Sequence, residues 1–167
     1  MEYEVMKKQQ NSKMCLVCGL SNEFGLKASF YELENNEVAA IFTPFEEHQG
    51  YPGRLHGGIA AAILDETIGR AIMTKDKNIF GVTVELNLKY KKPVPLNEEL
   101  RVVGRITKDS SRLFEGSGEL ILKNGDVAII GYGKYMKIPL GRMLDFDEKE
   151  QEWKVSLSDL DPVKIDI

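Results

Sequence analysis

The sequence predicts an α+β fold, an antiparallel sheet in the order β-β-α-β-β-β-β wrapped around one long central helix. Three observations lead there. The segment from about Gly57 to Met73 is the one strong helix, and it carries no polar stripe before Asp65, so it is expected to be buried nearly all round. The run Val82-Thr83-Val84-Glu85-Leu86-Asn87-Leu88-Lys89-Tyr90 alternates apolar and polar residues without a miss, which is the period of a strand. The other strand-like runs are joined by short turn signals, as antiparallel neighbours are.

In chain order, residues 1–14 are polar and aperiodic and read as a loose leader, 15–140 as the folded domain, and 141–167 as an acidic tail. A short helix from Asp145 to Trp153 is expected within that tail. Leu26 to Leu33 and Val38 to Phe42 flank the turn-prone trio Glu34-Asn35-Asn36 and read as a hairpin. Thr43 to Leu55 holds two prolines and two glycines and reads as an irregular loop, with one helical turn at Phe45 to His48. Beyond the helix and the alternating strand, Pro93 and Pro95 break the pattern. Glu99 to Thr107 and Arg112 to Leu122 turn about Lys108-Asp109-Ser110-Ser111. Lys123-Asn124-Gly125-Asp126 is a tight turn, since Asn and Gly accept positive φ. Val127 to Ile138 is the last strand, in which Gly131 and Gly133 suggest a bend or a close approach.

A chain of 167 residues supports one domain with a substantial core. Its 43% apolar and 29% charged residues are ordinary for a soluble globular protein. The longest apolar run, Ile59 to Leu64, is six residues, too short to span a membrane. Met1 to Lys8 has no apolar stretch behind its charges, so no secretory signal is expected and the cytoplasm is the default location. The net charge of −4 resides in the tail, where eight acidic residues face four basic ones from Gly141 onward. The remaining 140 residues carry eighteen of each sign, and a neutral body without a Lys/Arg stripe argues against nucleic acid as a partner.

Cys15-Leu16-Val17-Cys18-Gly19 leaves three readings open: a packed or merely reduced pair, part of a zinc site, or a redox dithiol. Zinc would need two further ligands, and the only histidines are His48 and His56, so no metal is expected. A redox dithiol would be expected in a βαβ context, which does not follow.

The loop-to-helix junction is more informative. Arg54-Leu55-His56-Gly57-Gly58 runs straight into the helix, and two glycines at a helix start leave backbone N–H groups unshielded. With the positive end of the helix dipole they suit an oxyanion or a polarised carbonyl. A tight turn that lets the helix press on the sheet explains the glycines equally well. Mid-helix, Asp65 stacks between Ala61 and Ala62 on one side and Ile68 and Gly69 on the other. A carboxylate there costs several kcal/mol to ionise unless it is solvated or paired, and it reads as functional. Glu66 lies four positions before Arg70, the spacing of an ordinary helix ion pair. Gly116-Ser117-Gly118 lies within a strand and is no nucleophile elbow, and neither a Walker loop nor a His-Glu-x-x-His pair is present.

The segment from His56 to Glu66, His-Gly-Gly-Ile-Ala-Ala-Ala-Ile-Leu-Asp-Glu, resembles the signature of the hotdog-fold acyl-CoA thioesterases of the PaaI-like branch. There a His-Gly-Gly turn opens the central helix and an acidic residue follows nine positions after the histidine, which is where Asp65 stands. Val82 to Tyr90, followed by Pro93, resembles the family's third strand. Cys15-Leu16-Val17-Cys18-Gly19 with Phe24-Gly25-Leu26 recurs in one subgroup, and the likeness covers roughly residues 15–138. It implies hydrolysis of an acyl-CoA thioester to the free acid and CoA, with no cofactor beyond the coenzyme A of the substrate. It also implies a dimer whose sheets pair edge to edge, or a dimer of dimers, with sites between protomers. By the same likeness the Gly57 N–H polarises the carbonyl, and the partner's Asp65 is general base or nucleophile. His56 orients the loop or meets the substrate, and Thr83 helps to place the attacking water. Gly58, Gln49, Glu66, Asn87 and Lys91 are candidate substrate contacts. Lys89, Lys92, Arg101, Arg105 and Arg112 are further candidates for CoA phosphates, each also readable as a surface charge. The Asn or Gln that some members carry ahead of the glycine turn falls on Gly50 here, which leaves neighbouring Gln49 as the candidate helper.

Two other readings stand beside hydrolysis. One is a module that holds acyl-CoA or a fatty acyl chain without turnover, or a regulatory dimer. The other is hydration or dehydration of an acyl thioester on the same fold. Asp65 together with Gly57 and Thr83 favours the hydrolase, because a pure binder has no need of a buried acid.

Overall fold

The structure is a computed structural model describing residues 1–143 and 147–167. Strands β1 (Glu2–Lys8), β2 (Ser29–Leu33) and β3 (Val38–Phe42) precede the helix α1 (Gly57–Arg70). Then come β4 (Ile79–Tyr90), β5 (Leu100–Asp109), β6 (Leu113–Ile121), β7 (Val127–Pro139), a short helix α2 (Leu140–Met143) and β8 (Lys164–Asp166). They form one sheet in the order β4-β7-β6-β5-β3-β2-β1-β8, antiparallel at every described pairing. From β2 to β7 the order is β-β-α-β-β-β-β, as the sequence periods require.

The turns follow from their residues. Asn36 takes φ 63° between β2 and β3, and the Asn35 side chain accepts the Glu37 N–H at 3.2 Å. Between β6 and β7, Gly125 takes φ 86°, and Asn124 Oδ1 accepts the Asp126 N–H at 3.0 Å. At its far end α1 tightens into a 3-10 turn, Ala71–Thr74.

What seats α1 is a furrow in the sheet. The registers of β5, β6 and β7 set Gly104 opposite Gly118, and Gly118 opposite Gly131. Thr67 and Ile68 of α1 press into this side-chain-free row. A Cβ on Gly104 would stand 2.7 Å from the Thr67 carbonyl oxygen, and one on Gly118 2.9 Å from Ile68 Cγ1. Ile63, Leu64 and Ile68 are thereby fully buried with Phe30, Val102, Leu120 and Ile129. Each such side chain contributes about 1.5–3 kcal/mol of burial.

The helix is not buried all round, however. Ala60, Ile63, Leu64, Thr67 and Ile68 face the sheet, whereas Ile59, Ala61, Ala62, Asp65 and Glu66 are only half-buried. The sheet curls over one side of α1 and leaves the other uncovered. Strand β4 departs from expectation for a related reason. It ends the sheet, so its outer edge has no partner among the described residues, and a bulge between Thr83 and Glu85 shifts its register. Val82 and Val84 are consequently 39% and 56% exposed.

Both termini join the sheet, which corrects the loose leader and the separate tail. Residues 2–8 form β1 because Tyr3 and Val5 on alternate positions pack on a second small cluster with Tyr31, Leu33, Ala39 and Ile165. Ile165 comes from β8, which pairs with β1. Trp153 packs edge-on against Phe80 with ring centroids 5.4 Å apart. The helix expected from Asp145 to Trp153 begins on residues outside those described, and 148–152 form turns. Among the described residues, no helix is long and apolar enough to cross a membrane.

The furrow makes a distinction that urea denaturation can read. Gly104→Ala is expected to cost about 2 kcal/mol or more, because the methyl must displace helix backbone. Gly125→Ala, at positive φ but with open space around it, is expected to cost about 1 kcal/mol. A neutral Gly104→Ala would mean that the helix does not sit in the furrow.

Candidate active site

Seating Ile68 in the furrow fixes the rotation of α1, and so determines where Asp65 faces. Thr83 on β4 and Tyr135 on β7 are register partners, and their hydroxyls converge on it. The Thr83 hydroxyl lies 2.9 Å from Asp65 Oδ1 and 3.0 Å from Oδ2. The Tyr135 hydroxyl reaches Oδ1 at 3.1 Å and the Asp65 carbonyl oxygen at 3.2 Å. Tyr135 is fully buried and stacked on Phe114 at 5.0 Å. Burial first, and then the Asp65 charge, push its phenol well above the usual range. It therefore stays protonated, a permanent donor to the carboxylate. The group faces a cavity of about 290 Å³ walled by Thr83, Gly81, Phe80, Cys15 and Trp153.

The opening of α1 is a second locus. His56 is the N-cap, and its Nδ1 accepts the Gly58 N–H at 2.9 Å, which requires a proton-free Nδ1. A Cβ on Gly58 would stand 3.0 Å from that nitrogen, so this glycine is explained by the cap. Gly57 is different. A Cβ there would meet nothing nearer than the Tyr90 ring at 3.7 Å, an ordinary contact. Its N–H has no acceptor among the described residues. Its carbonyl accepts the Tyr90 hydroxyl at 2.6 Å. A Cβ at 57 is thus sterically tolerated, and the N–H stays open to an approaching acceptor. A cavity of about 370 Å³ adjoins it, lined by Arg54, Tyr51, Tyr90, Lys91, Lys92 and Val94 among others.

The remaining predicted residues divide. Lys91 lies at the Gly57 cavity, beside Lys92, which pairs with Asp126 at 2.6 Å. Gln49 is turned into its own loop, where Oε1 accepts the Gly53 N–H at 3.2 Å. Asn87 bonds Glu85 at 2.9 Å in a groove that shares no residue with either cavity. Arg105 is held between Glu37 and Glu119, and Arg101 pairs with Glu99, far from a role as open cations. His48 is buried, with Nδ1 accepting the Phe45 N–H at 2.9 Å and Nε2 on the Phe24 carbonyl at 2.9 Å, so it is structural.

Glu66 also departs from a simple surface pair. Arg70 holds its carboxylate through Nε at 2.9 Å and Nη2 at 2.8 Å. Arg70 is itself only 6% exposed, caps the Phe30 ring at 4.1 Å and donates to the Gln10 carbonyl at 2.9 Å. Cys15 Sγ lies 3.3 Å from Glu66 Oε2, and Arg70 Nη2 lies 3.2 Å from Cys18 Sγ. Cys15, Cys18 and Glu66 form a group of metal-ligand type, but the guanidinium sits on two of its three members. Its fixed positive charge already compensates these groups, and the group is not assigned to a metal.

Tyr135 and Tyr90 are functional candidates that sequence reasoning did not single out. Tyr135 lies in the alternating last strand, but its distance to Asp65 depends on the β4–β7 register, which no local signal carries.

Known proteins agree with this architecture. Residues 52–129 match the family model described as Thioesterase superfamily. Acyl-coenzyme A thioesterase THEM4 of Rattus norvegicus is 33% identical over 109 residues, 65% of this chain and 45% of its own length. The chain thus spans about half the length of this curated relative. A crystal structure of a thioesterase superfamily protein superposes with a TM-score of 0.68 at 28% identity, over 73% of this chain and 59% of that one. The E. coli PaaI protein has the same fold, with a TM-score of 0.61 at 12% identity over 68% of this chain and 80% of that one. Helix, wrapped sheet and these likenesses converge on a hotdog fold, similar to the thioesterase superfamily over residues 52–129 and to the PaaI protein in architecture.

Proposed function

We propose that the chain hydrolyses an acyl-CoA thioester to the free acid and coenzyme A, at a site shared by two copies, with Asp65 as general base or nucleophile. The observation that carries this reading is Asp65 itself. Its carboxylate faces a cavity, oriented by two hydroxyl donors, and among the described residues no cation neutralises it. The relative named as an acyl-coenzyme A thioesterase supports the same substrate class.

Geometry supports the second copy. Gly57 stands eight positions before Asp65 on α1, a rise of about 12 Å. One protomer therefore cannot bring its own N–H and its own carboxylate to a single thioester carbonyl. A two-fold partner can bring its Asp65 to this Gly57, and the reverse. The open edge of β4, with Val82 and Val84 exposed, suits strand pairing between copies. A dimer of dimers is compatible with the same pairing.

In this arrangement the Gly57 N–H donates to the thioester carbonyl oxygen and stabilises the oxyanion that forms. The partner's Asp65 takes a proton from water as the water oxygen adds to the carbonyl carbon, or adds directly through its own oxygen. The C–S bond then breaks and the thiolate departs. Because a thiolate leaves readily, one carboxylate and one oxyanion donor suffice, and no cofactor or metal is called on. Thr83 and Tyr135 hold the carboxylate plane, and His56 positions Gly57 through its cap to Gly58. Arg54 and Lys91 beside Gly57 suit the phosphates of coenzyme A.

A panel of short, long and aromatic acyl-CoA esters tests this reading. Asp65→Asn is expected to lower kcat a hundredfold or more, roughly 3 kcal/mol of barrier, with folding intact. Hydrolysis undiminished in that variant would remove Asp65 from the chemistry, and a wild type that binds coenzyme A yet turns nothing over would make the chain a binding module. Tyr135→Phe is expected to cost about tenfold in kcat, since it loses one hydrogen bond to the carboxylate. Mixing Asp65→Asn with Gly57→Pro subunits tests the shared site. Hybrid dimers keep one intact site, so a 1:1 mixture should recover about a quarter of wild-type activity, and recovery of none would place the whole site within one protomer.

A further inference from the structure

The cysteine pair is unused by this reading, yet it lies in the wall of the Asp65 cavity. Cys15 Sγ receives the backbone N–H groups of Val17 at 3.3 Å and Cys18 at 3.4 Å. Cys18 is buried, with Ser12 Oγ at 3.6 Å and Arg70 Nη2 at 3.2 Å from its sulfur. Both thiols are free, and the two sulfurs and a Glu66 carboxylate oxygen lie within 4.8 Å of one another. One sulfur is thus reachable and lined with donors, and the other is enclosed immediately behind it. We propose that Cys15 and Cys18 are a reversible thiol–disulfide pair in the wall of the Asp65 cavity, with Cys15 the attacking sulfur and Cys18 the resolving one.

The electrostatics divide the two roles. Cys15 is lowered to about 7, chiefly because the Cys18 thiol hydrogen-bonds to its sulfur, helped by the backbone donors. Cys18 is pushed far up by the same bond and by burial. Near neutral pH a large share of Cys15 is therefore thiolate, against the raising effect of burial and the Glu66 charge, while Cys18 keeps its proton. With a peroxide as oxidant, the Cys15 thiolate attacks one peroxide oxygen, the O–O bond breaks, and the departing hydroxide takes a proton to become water. Cys15 is then a sulfenic acid. The Cys18 sulfur attacks the Cys15 sulfur, the S–O bond breaks, and the leaving hydroxide accepts the Cys18 proton as a second water. Two thiols are oxidised by two electrons while the peroxide is reduced to two waters, and a dithiol reductant reverses the change. Cys15 Sγ lies 3.3 Å from Glu66, the residue next to Asp65, and both cysteines line the Asp65 cavity, so the oxidation takes place in the cavity wall.

The test uses the full chain. Iodoacetamide is expected to alkylate Cys15 at least about tenfold faster than Cys18, with a rate half-maximal near pH 7. Hydrogen peroxide should yield a monomeric product lighter by two hydrogen atoms, with both thiols lost and then restored by dithiothreitol. With glutathione disulfide, Cys18→Ser should stop at a mixed disulfide on Cys15, and Cys15→Ser should remain unmodified. Equal alkylation rates, or peroxide that leaves both thiols titratable or carries Cys15 to the sulfinic acid without a bridge, would overturn the proposal. So would one equivalent of zinc in the purified chain that Cys15→Ser loses, which would make the pair a metal site. Wild-type alkylation and oxidation decide the matter even if a variant fails to fold, and none of these readouts depends on thioester hydrolysis.

Discussion

The approach of α1 to a row of glycines is the contact on which the rest of the molecule depends. Gly104, Gly118 and Gly131 lie side by side only because three strands are in a particular register, and Ile68 enters the row only because no Cβ stands there. Helix and sheet backbones come closer than side chains would allow, and the apolar face of α1 is buried as a consequence. Ile68 lies three residues past Asp65, about one turn along the helix. The seat that buries the isoleucine therefore also sets the direction of the carboxylate. Core packing and the direction of the carboxylate are set by one contact.

Two adjacent carboxylates on that helix receive opposite treatment. Glu66 is neutralised by a nearly buried arginine that is itself stacked on Phe30 and bonded to the N-terminal segment. Asp65, one residue earlier, meets only hydroxyl groups. Hydroxyls orient a carboxylate while leaving its negative charge in place, whereas a guanidinium cancels it. The helix rotation of about 100° per residue separates the two environments. That separation leaves Asp65 an uncancelled charge and makes Glu66 part of the scaffold that ties Cys15, Cys18 and the N-terminal segment to the helix.

Much of the site was readable because its signals are local. His56-Gly57-Gly58 announces a capped helix start, and the cap is formed. Asp65 stood out as a charge in an apolar helix, and Thr83 as a hydroxyl in an alternating strand. The structure joins these last two through a hydrogen bond between residues eighteen positions apart. Gln49 and Asn87, chosen for their type and nearness in sequence, bond within their own loop and strand instead. Tyr135 escaped notice because nothing in its own neighbourhood distinguishes it from other inward-facing strand residues.

The periods, the turns and hence the order of elements from β2 to β7 were all present in the amino-acid sequence. Hydrophobic spacing and turn chemistry act over a few residues, so they are written where they act. How those elements register emerged in the folded molecule alone. The glycine row, the pairing of Thr83 with Tyr135, and the entry of residues 2–8 and 164–166 into the sheet all join positions distant in the chain. Such contacts depend on the simultaneous fit of many side chains, which no single stretch of sequence encodes. Asp65 was visible as a residue from the sequence, and its role as an oriented carboxylate came from the sheet that closes around it.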